Sequence, residues 1–425
     1  MGKPREKSLI EKSSHDNLSH LNRSKMQDII IVGGGHVGLY LASELARSGY
    51  RVVVLDQKKT IGERIVCTGI VGAEAFRELD LPKETVLGAI QRIRFFSPRG
   101  TFFDFTPPQT LAYVVDRGGF NRFFASQALR SGAEIQTGSR VEGISVCGEK
   151  VEVKVAETDG RERSYEARAL VLATGTQTRL FELAGLRGPE RFLGGAQIHL
   201  PFPGEDRTSV YVGREVAPGA FAWVVPLQNG QARIGLLSEA NPGGYLKKFL
   251  DRIRPGWREE AEEGRMDLRP VVARPVPRSY GNRVLVVGEA AGQIKTTTAG
   301  GIYYGFLGAQ AAAETLRDAF ERNCFDHRIL SGYERAWKKR MGEELRFGYH
   351  CRALFRKFSD RHMEELFSDE NVREEILNLV YRKADFDWHR NLVFSMLQLP
   401  SVFLHGLRHP LLASRLMAGL LFGRV

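Results

Sequence analysis

Two short, unbroken apolar runs frame a glycine-rich turn near the start of the chain. Asp28–Val32 reads DIIIV, continuous and rich in β-branched residues, the pattern of a strand buried on both faces. Gly33-Gly34-Gly35-His36-Val37-Gly38 follows directly. Leu39–Ser48 then carries apolar residues at helical spacing and stops at Gly49, a natural C-cap. A second apolar run, Arg51–Leu55, ends in Asp56. The order is strand, glycine turn, helix, strand, acid.

Each part of that order has a physical use. Gly33 permits the tight turn, Gly35 lets backbone approach a pyrophosphate, and Gly38 lets helix and strand pack closely. The helix N-terminus offers unpaired N–H groups and its positive dipole end to phosphates. Asp56 stands eighteen residues after Gly38, where a carboxylate can accept hydrogen bonds from a ribose. The pattern predicts a dinucleotide site; a plain glycine-rich turn is the competing reading.

Further along, the period changes. Gln57–Gly72 is irregular and bears Cys67. Ala169–Gly175 (ALVLATG) and Asn282–Gly292 (NRVLVVGEAAG) read as buried strands ending in small residues. A helix is expected from near Gly300, because Ile302, Phe306, Ala309, Ala313, Leu316 and Phe320 share one face. Between these strands, Ala196–Leu200, Ser209–Val212, Phe221–Val225 and Ala232–Leu237 are short aromatic and β-branched runs separated by Pro and Gly, as in an antiparallel sheet. Beyond Leu330 the chain turns helical and basic. The expected fold is α/β. A Rossmann-like dinucleotide domain covers 26–185 and 275–325, an inserted antiparallel β-sheet substrate domain covers 186–274, and a helical carboxyl-terminal region covers 326–425. Residues 1–25 are polar, lack the apolar core of a signal peptide, and read as a disordered tail, with Met26 a candidate start.

Composition narrows the picture only in places. At 425 residues and 43% hydrophobic, the chain has material for a sizeable core, which excludes a disordered chain or a small disulfide scaffold. The net charge of +11 favours an anionic partner: a phosphate-bearing ligand, an acidic membrane or nucleic acid. No nucleic-acid motif is recognisable, so no nucleic acid is expected. Four scattered cysteines, Cys67, Cys147, Cys324 and Cys351, form no C-x-x-C pair and fit a reducing compartment. His405 and His409 stand four apart but lack partner ligands, so no metal is expected.

The layout resembles the flavoprotein hydroxylase fold and, within it, the geranylgeranyl reductase family, over about residues 27–345. The marks are Asp28–Gly38, Val66–Gly69 (VCTG), Val115–Phe120 (VDRGGF), Phe221–Pro226 (FAWVVP) and Gly288–Tyr303 (GEAAGQIKTTTAGGIY). The resemblance implies FAD, held at Gly33, Gly35, Val37, Gly38, Asp56, Arg117, Val141, Gly175, Glu289, Gly301 and Ile302. It implies a pocket wall at Phe221, Trp223 and Pro226, and Cys67 near the flavin ring. Thiols are mostly protonated near neutrality, so Cys67 is the candidate catalytic proton donor; a small packing residue is the alternative. The sequence departs from the family at Glu289 for aspartate, Phe221 for tyrosine, Val225 for an aromatic residue, and Thr296 and Ala299 for Pro and Gly.

The implied reaction is saturation of carbon–carbon double bonds in a polyprenyl (geranylgeranyl-type) lipid or diphosphate. The electron donor stays open among NADPH, NADH and ferredoxin. A flavin monooxygenase or halogenase on the same fold, and a non-catalytic flavin- or lipid-binding protein, are the rivals. Residues 386–425 hold one acid, Asp387, and four arginines among leucines and phenylalanines. Leu411–Phe422 suits a helix lying in a membrane interface, and a helix packed on its own domain is the alternative. A cytoplasmic enzyme with peripheral contact at the inner face of the membrane is the expectation.

Overall fold

The DIIIV run folds as β1 (Gln27–Val32), with Ile29, Ile30 and Ile31 fully buried. The computed structural model describes residues 26–260 and 266–402. Helix α1 (His36–Arg47) follows at once, beginning three residues earlier than its apolar spacing predicts; Gly35 is its N-cap and His36 lies in its first turn. Next in chain order come β2 (Val52–Asp56), β3 (Ile93–Phe96), β4 (Phe102–Phe105), α2 (Arg117–Arg130) and β5 (Glu134–Thr137). A hairpin of Ser139–Cys147 and Lys150–Glu157 leads into β6 (Glu162–Leu172). The second half contributes β7 (Phe192–Pro201), β8 (Thr208–Val212), β9 (Phe221–Pro226), β10 (Gln231–Ser238), β11 (Asp267–Val272) and β12 (Val284–Val286). Helix α3 (Ile302–Glu321) follows, and α4 (Glu343–Phe355) lies in the helical region beyond it.

The first sheet runs Tyr280–Gly281, β12, β6, β1, β2, β5. The four pairings from β12 to β5 are all parallel, and the hairpin strand Lys150–Glu157 joins β6 antiparallel. Ile31 therefore sits between Val54 and Val171, and the carboxyl ends of β1, β2, β6 and β12 share one edge. Ligands bind at that edge in doubly wound sheets. Helices α1, α2 and α3 cover one face, their buried side chains joining the strand isoleucines and valines in one core with Phe120, Phe306 and Tyr333. Asp116 caps α2 by accepting from the N–H groups of Gly118 and Gly119 at 2.9 Å, so the GG pair of VDRGGF forms its first turn.

The second sheet runs β11, β7, β10, β9, β8, β3, β4. It is antiparallel except where β8 meets β3 in parallel. Strands β3 and β4 lie far upstream of residue 186, in the stretch expected within the dinucleotide domain. The sheet thus recruits strands from both sides of β6, a long-range pairing that local alternation does not reveal. A third, small sheet joins Ile70–Gly72, Ala112–Val115 and Val86–Ile90.

After α3 the described chain is mostly helical to Val402, with a non-helical segment at 384–389, and no described helix is long and apolar enough to cross a membrane. Leu411–Phe422, His405 and His409 lie outside the described residues.

Candidate functional site

The glycine turn is built as its spacing demands. Gly33 has φ +115°, and a Cβ there would lie 2.3 Å from the Ala173 carbonyl oxygen. A Cβ at Gly38 would lie 2.1 Å from the Gly33 carbonyl oxygen, so α1 could not sit this close to β1 with any other residue. Gly35, by contrast, faces open space. Asp56 closes the turn: its Oδ2 accepts from the Gly34 N–H at 2.6 Å and its Oδ1 from the Lys58 N–H at 2.8 Å. The carboxylate is thus oriented by backbone while still facing the cavity.

That cavity measures about 1290 Å³. Gly33, Gly35, Val37, Asp56, Arg117, Val141, Gly175, Glu289, Gly301 and Ile302 all line it, as do Cys67, Phe221 and Trp223. Gly38 is not in the lining; it acts through helix–strand packing. Pro226 is not in the lining either. It ends β9 opposite Ala232, and the alternation of the strand turns Phe221, Trp223 and Val225 into the cavity instead. Trp223 fits its place because Gly235 across the strands has no side chain: a Cβ there would meet the indole at 2.5 Å.

The VCTG loop is tied down by arginines from the second sheet. Arg233 of β10 donates to the carbonyls of Thr68 at 2.5 Å and Val115 at 3.0 Å. Arg269 of β11 donates to the Val66 carbonyl at 2.9 Å and pairs with Glu289. Thr68 donates to Gln197 Oε1 at 2.7 Å. The Gly69 N–H points at Cys67 Sγ, 3.3 Å away. Burial raises the Glu289 carboxyl above its usual range, and the Arg269 guanidinium opposes this. Glu289 therefore reaches the cavity as half of an ion pair with Arg269, a partner that the GEAAG motif alone does not announce.

Sequence reasoning passed over His36, inside the glycine turn. Its Nδ1 lies 2.9 Å from Arg117 Nη2 and accepts from it, which puts the ring proton on Nε2. Burial holds this imidazole well below its ordinary range, with the charges of Arg117 and Arg269 adding to the effect. It also passed over Asp385, Phe386 and His389, which line the cavity from the carboxyl-terminal region. Thr297 and His389 Nδ1 are 2.8 Å apart, which fastens this segment to the turn before α3.

The residues fit a dinucleotide with a long apolar companion. Arg117 is 6% exposed, yet its Nε and Nη1 have no hydrogen-bond partner among the described residues; neither have His36 Nε2 and Asn121 Oδ1. All three side chains line the cavity beside the glycine turn, and buried polar groups in native proteins are otherwise paired. The volume exceeds the roughly 300–1,000 Å³ of ordinary small-molecule pockets. Ile93, Phe95, Val210, Trp223 and Val225 give its second-sheet wall an apolar surface.

Residues 27–199 match the pyridine nucleotide-disulphide oxidoreductase family. The chain is similar to a digeranylgeranylglycerophospholipid reductase of Methanocaldococcus jannaschii, 26% identical over 353 residues that cover 80% of this chain and 89% of that protein. Among solved structures it is similar to a geranylgeranyl bacteriochlorophyll reductase-like protein from Thermoplasma acidophilum. The TM-score is 0.77 at 20% identity, over 90% of this chain and 99% of the other. A halogenase solved in complex with FAD gives a TM-score of 0.63 at 17% identity, over 85% and 84% of the two chains.

Proposed function

We infer that this chain is an FAD-dependent oxidoreductase of the geranylgeranyl reductase family, and that it saturates carbon–carbon double bonds in the prenyl chain of a lipid. One observation carries the reading: a dinucleotide cradle and a long apolar wall belong to a single cavity, with Cys67 in its lining. The similarity to a reductase of a prenyl-chain phospholipid supports it. The likeness to a halogenase is one of fold.

FAD, when bound and reduced, supplies hydride. The chain's own residues do the rest. Gly33, Gly35 and the first turn of α1 would receive the phosphates, and Asp56 would take the ribose. Arg117, fixed by His36, would offer the N–H groups of its two unpartnered nitrogens to the cofactor, with Val37, Val141, Gly175, Gly301 and Ile302 packing around it. Glu289 stays paired with Arg269 in the lining of this cavity.

An isolated alkene is a poor hydride acceptor, so a proton must reach one carbon as hydride reaches the other. Cys67 Sγ holds that proton. As it leaves, the Gly69 N–H, aimed at the sulfur, stabilises the thiolate left behind. Arg233 and Arg269 keep the loop in register by holding its carbonyls. Phe221, Trp223 and Val225 exclude water from the reacting chain. The donor that re-reduces the cofactor is a reduced nicotinamide nucleotide or ferredoxin. A substrate this insoluble is met at a membrane surface, and the net charge of +11 favours peripheral contact with an acidic bilayer on the cytoplasmic side.

The experiment is anaerobic: the bound flavin is reduced chemically and a prenyl lipid is added. Reoxidation in proportion to double bonds lost supports the reading. A flavin that stays reduced until oxygen enters sinks it.

A further inference from the structure

Among the described residues, Arg352 of α4 is an arginine without an ion-pair partner. It is 8% exposed, lines the main cavity, and donates one hydrogen bond, from Nη2 to the Gly219 carbonyl at 2.7 Å. No carboxylate lies within ion-pair distance of it among the described residues. Glu239, whose charge reaches it, already pairs with Arg356. Burial pushes the Arg352 guanidinium down to about 10, the direction expected of a cation held out of water without a full counter-charge. A buried cation without a counter-charge is destabilising, and an anion entering the cavity that Arg352 lines would supply that charge.

A second cavity, of about 590 Å³, adjoins the first at Gly219. Arg214, Arg356 and Lys357 line it against one acid, Glu239. Arg214 donates from Nε to the Phe358 carbonyl and from Nη2 to the Arg356 carbonyl, capping the end of α4, and from its backbone N–H to Asp360. Its charge still faces the cavity. Arg274 stands 5.5 Å from the ring of Tyr349, which also lines the space. This positive ground comes from α4 and the residues just after it, from the connection between β8 and β9, and from Arg274 just after β11. The glycine turn that receives the dinucleotide phosphates belongs to other elements.

We propose that the Arg352 side of the main cavity, with the adjoining basic cavity, receives the phosphoryl group at the head of the substrate, so that the apolar wall holds the tail. The proposal rests on the reading of the substrate as a prenyl lipid and adds that the lipid enters with an anionic head. Arg352 supplies the charge-assisted hydrogen bonds, and Lys357 and Arg356 supply field.

The test compares two ligands with the same chain. Geranylgeranyl diphosphate and geranylgeraniol are titrated into the full FAD-loaded protein, with binding read calorimetrically, for wild type, Arg352→Met and Lys357→Gln. Arg352→Met is expected to weaken the diphosphate about tenfold or more and to leave the alcohol within about twofold. Lys357→Gln is expected to weaken the diphosphate alone, by a few-fold, and salt to do the same in wild type. Should Arg352→Met fail to fold, Lys357→Gln and the salt series decide. Equal losses for both ligands, or undiminished diphosphate binding in all cases, overturn the proposal. Inorganic diphosphate that binds as tightly as the lipid assigns the site to a free anion and also overturns it. Head-selective binding with neither lipid reduced supports the head site while sinking the reductase reading.

Discussion

Lys295 and Asp387 form an ion pair at 2.9 Å, each 3% exposed and 92 residues apart in sequence. Lys295 belongs to the turn before α3, and Asp387 to the segment that closes the cavity from the carboxyl-terminal region. The Phe386 carbonyl also accepts from Lys295 Nζ, and Tyr304 donates to the Asp387 carbonyl at 2.7 Å. A Cβ at Gly72 would fall on the Asp387 carboxylate, so glycine there makes room for the pair. Asp387→Ala leaves Lys295 buried and uncompensated, and the expected loss of stability is about 3–5 kcal/mol. Replacing both together, Lys295→Met with Asp387→Leu, is expected to recover most of it. Urea denaturation of the three proteins measures this; equal losses in single and double variants would show that the pairing is not what matters.

Cys67→Ala is expected to keep FAD and its spectrum but to slow alkene reduction by about 10²-fold or more, the usual cost of a missing general acid. The assay is a single turnover of pre-reduced enzyme, which separates the proton step from cofactor re-reduction. Unchanged turnover would return Cys67 to a packing role.

Asp56→Ala removes the acceptor for a ribose and for the Gly34 and Lys58 N–H groups. Retention of FAD is expected to fall by roughly tenfold, since a hydrogen bond to a charged group is worth about 1.5–3 kcal/mol and water replaces part of it. Equilibrium dialysis of the cofactor reads the change.

His389 makes stability depend on pH. Its imidazole is pushed down to about 3, chiefly by burial, with the Lys295 charge adding to the effect. In the unfolded chain a histidine titrates near about 6.5. Between those values the unfolded state binds a proton that the native state refuses. This contribution is therefore fully present above the unfolded value and is lost as pH falls toward the folded one. From pH 7 to pH 5 the urea midpoint is expected to drop, and to drop less in His389→Gln. Parallel pH profiles for the two proteins would contradict this.

The dinucleotide half was legible because its signals are local. β1, the glycine turn, α1, β2 and Asp56 fall within 30 consecutive residues, and each apolar run needs no distant partner to be read. The rest depends on contacts that periodicity cannot report. β3 (IRFF) and β4 (FFDF) are short runs without clear alternation, and nothing in β3 names β8 as its partner. Pro226 belonged to an aromatic motif, but the alternation of β9 put Val225 in the cavity instead. His36 lies inside the glycine motif, but its role is not legible there, because it depends on Arg117, 81 residues later. Lys295 and Asp387 were each visible as single charges; only the fold makes them a pair.

The most direct test of the account is the product itself. Enzyme with chemically reduced FAD is incubated without oxygen with a lipid bearing geranylgeranyl chains, and the extracted lipid is weighed by mass spectrometry. A product heavier by two hydrogen atoms for each double bond saturated is expected, and none from Cys67→Ala on the same time scale. A lipid recovered unchanged from active, FAD-loaded enzyme, or one that gains oxygen or halogen only when air and the corresponding reactants are admitted, would contradict it.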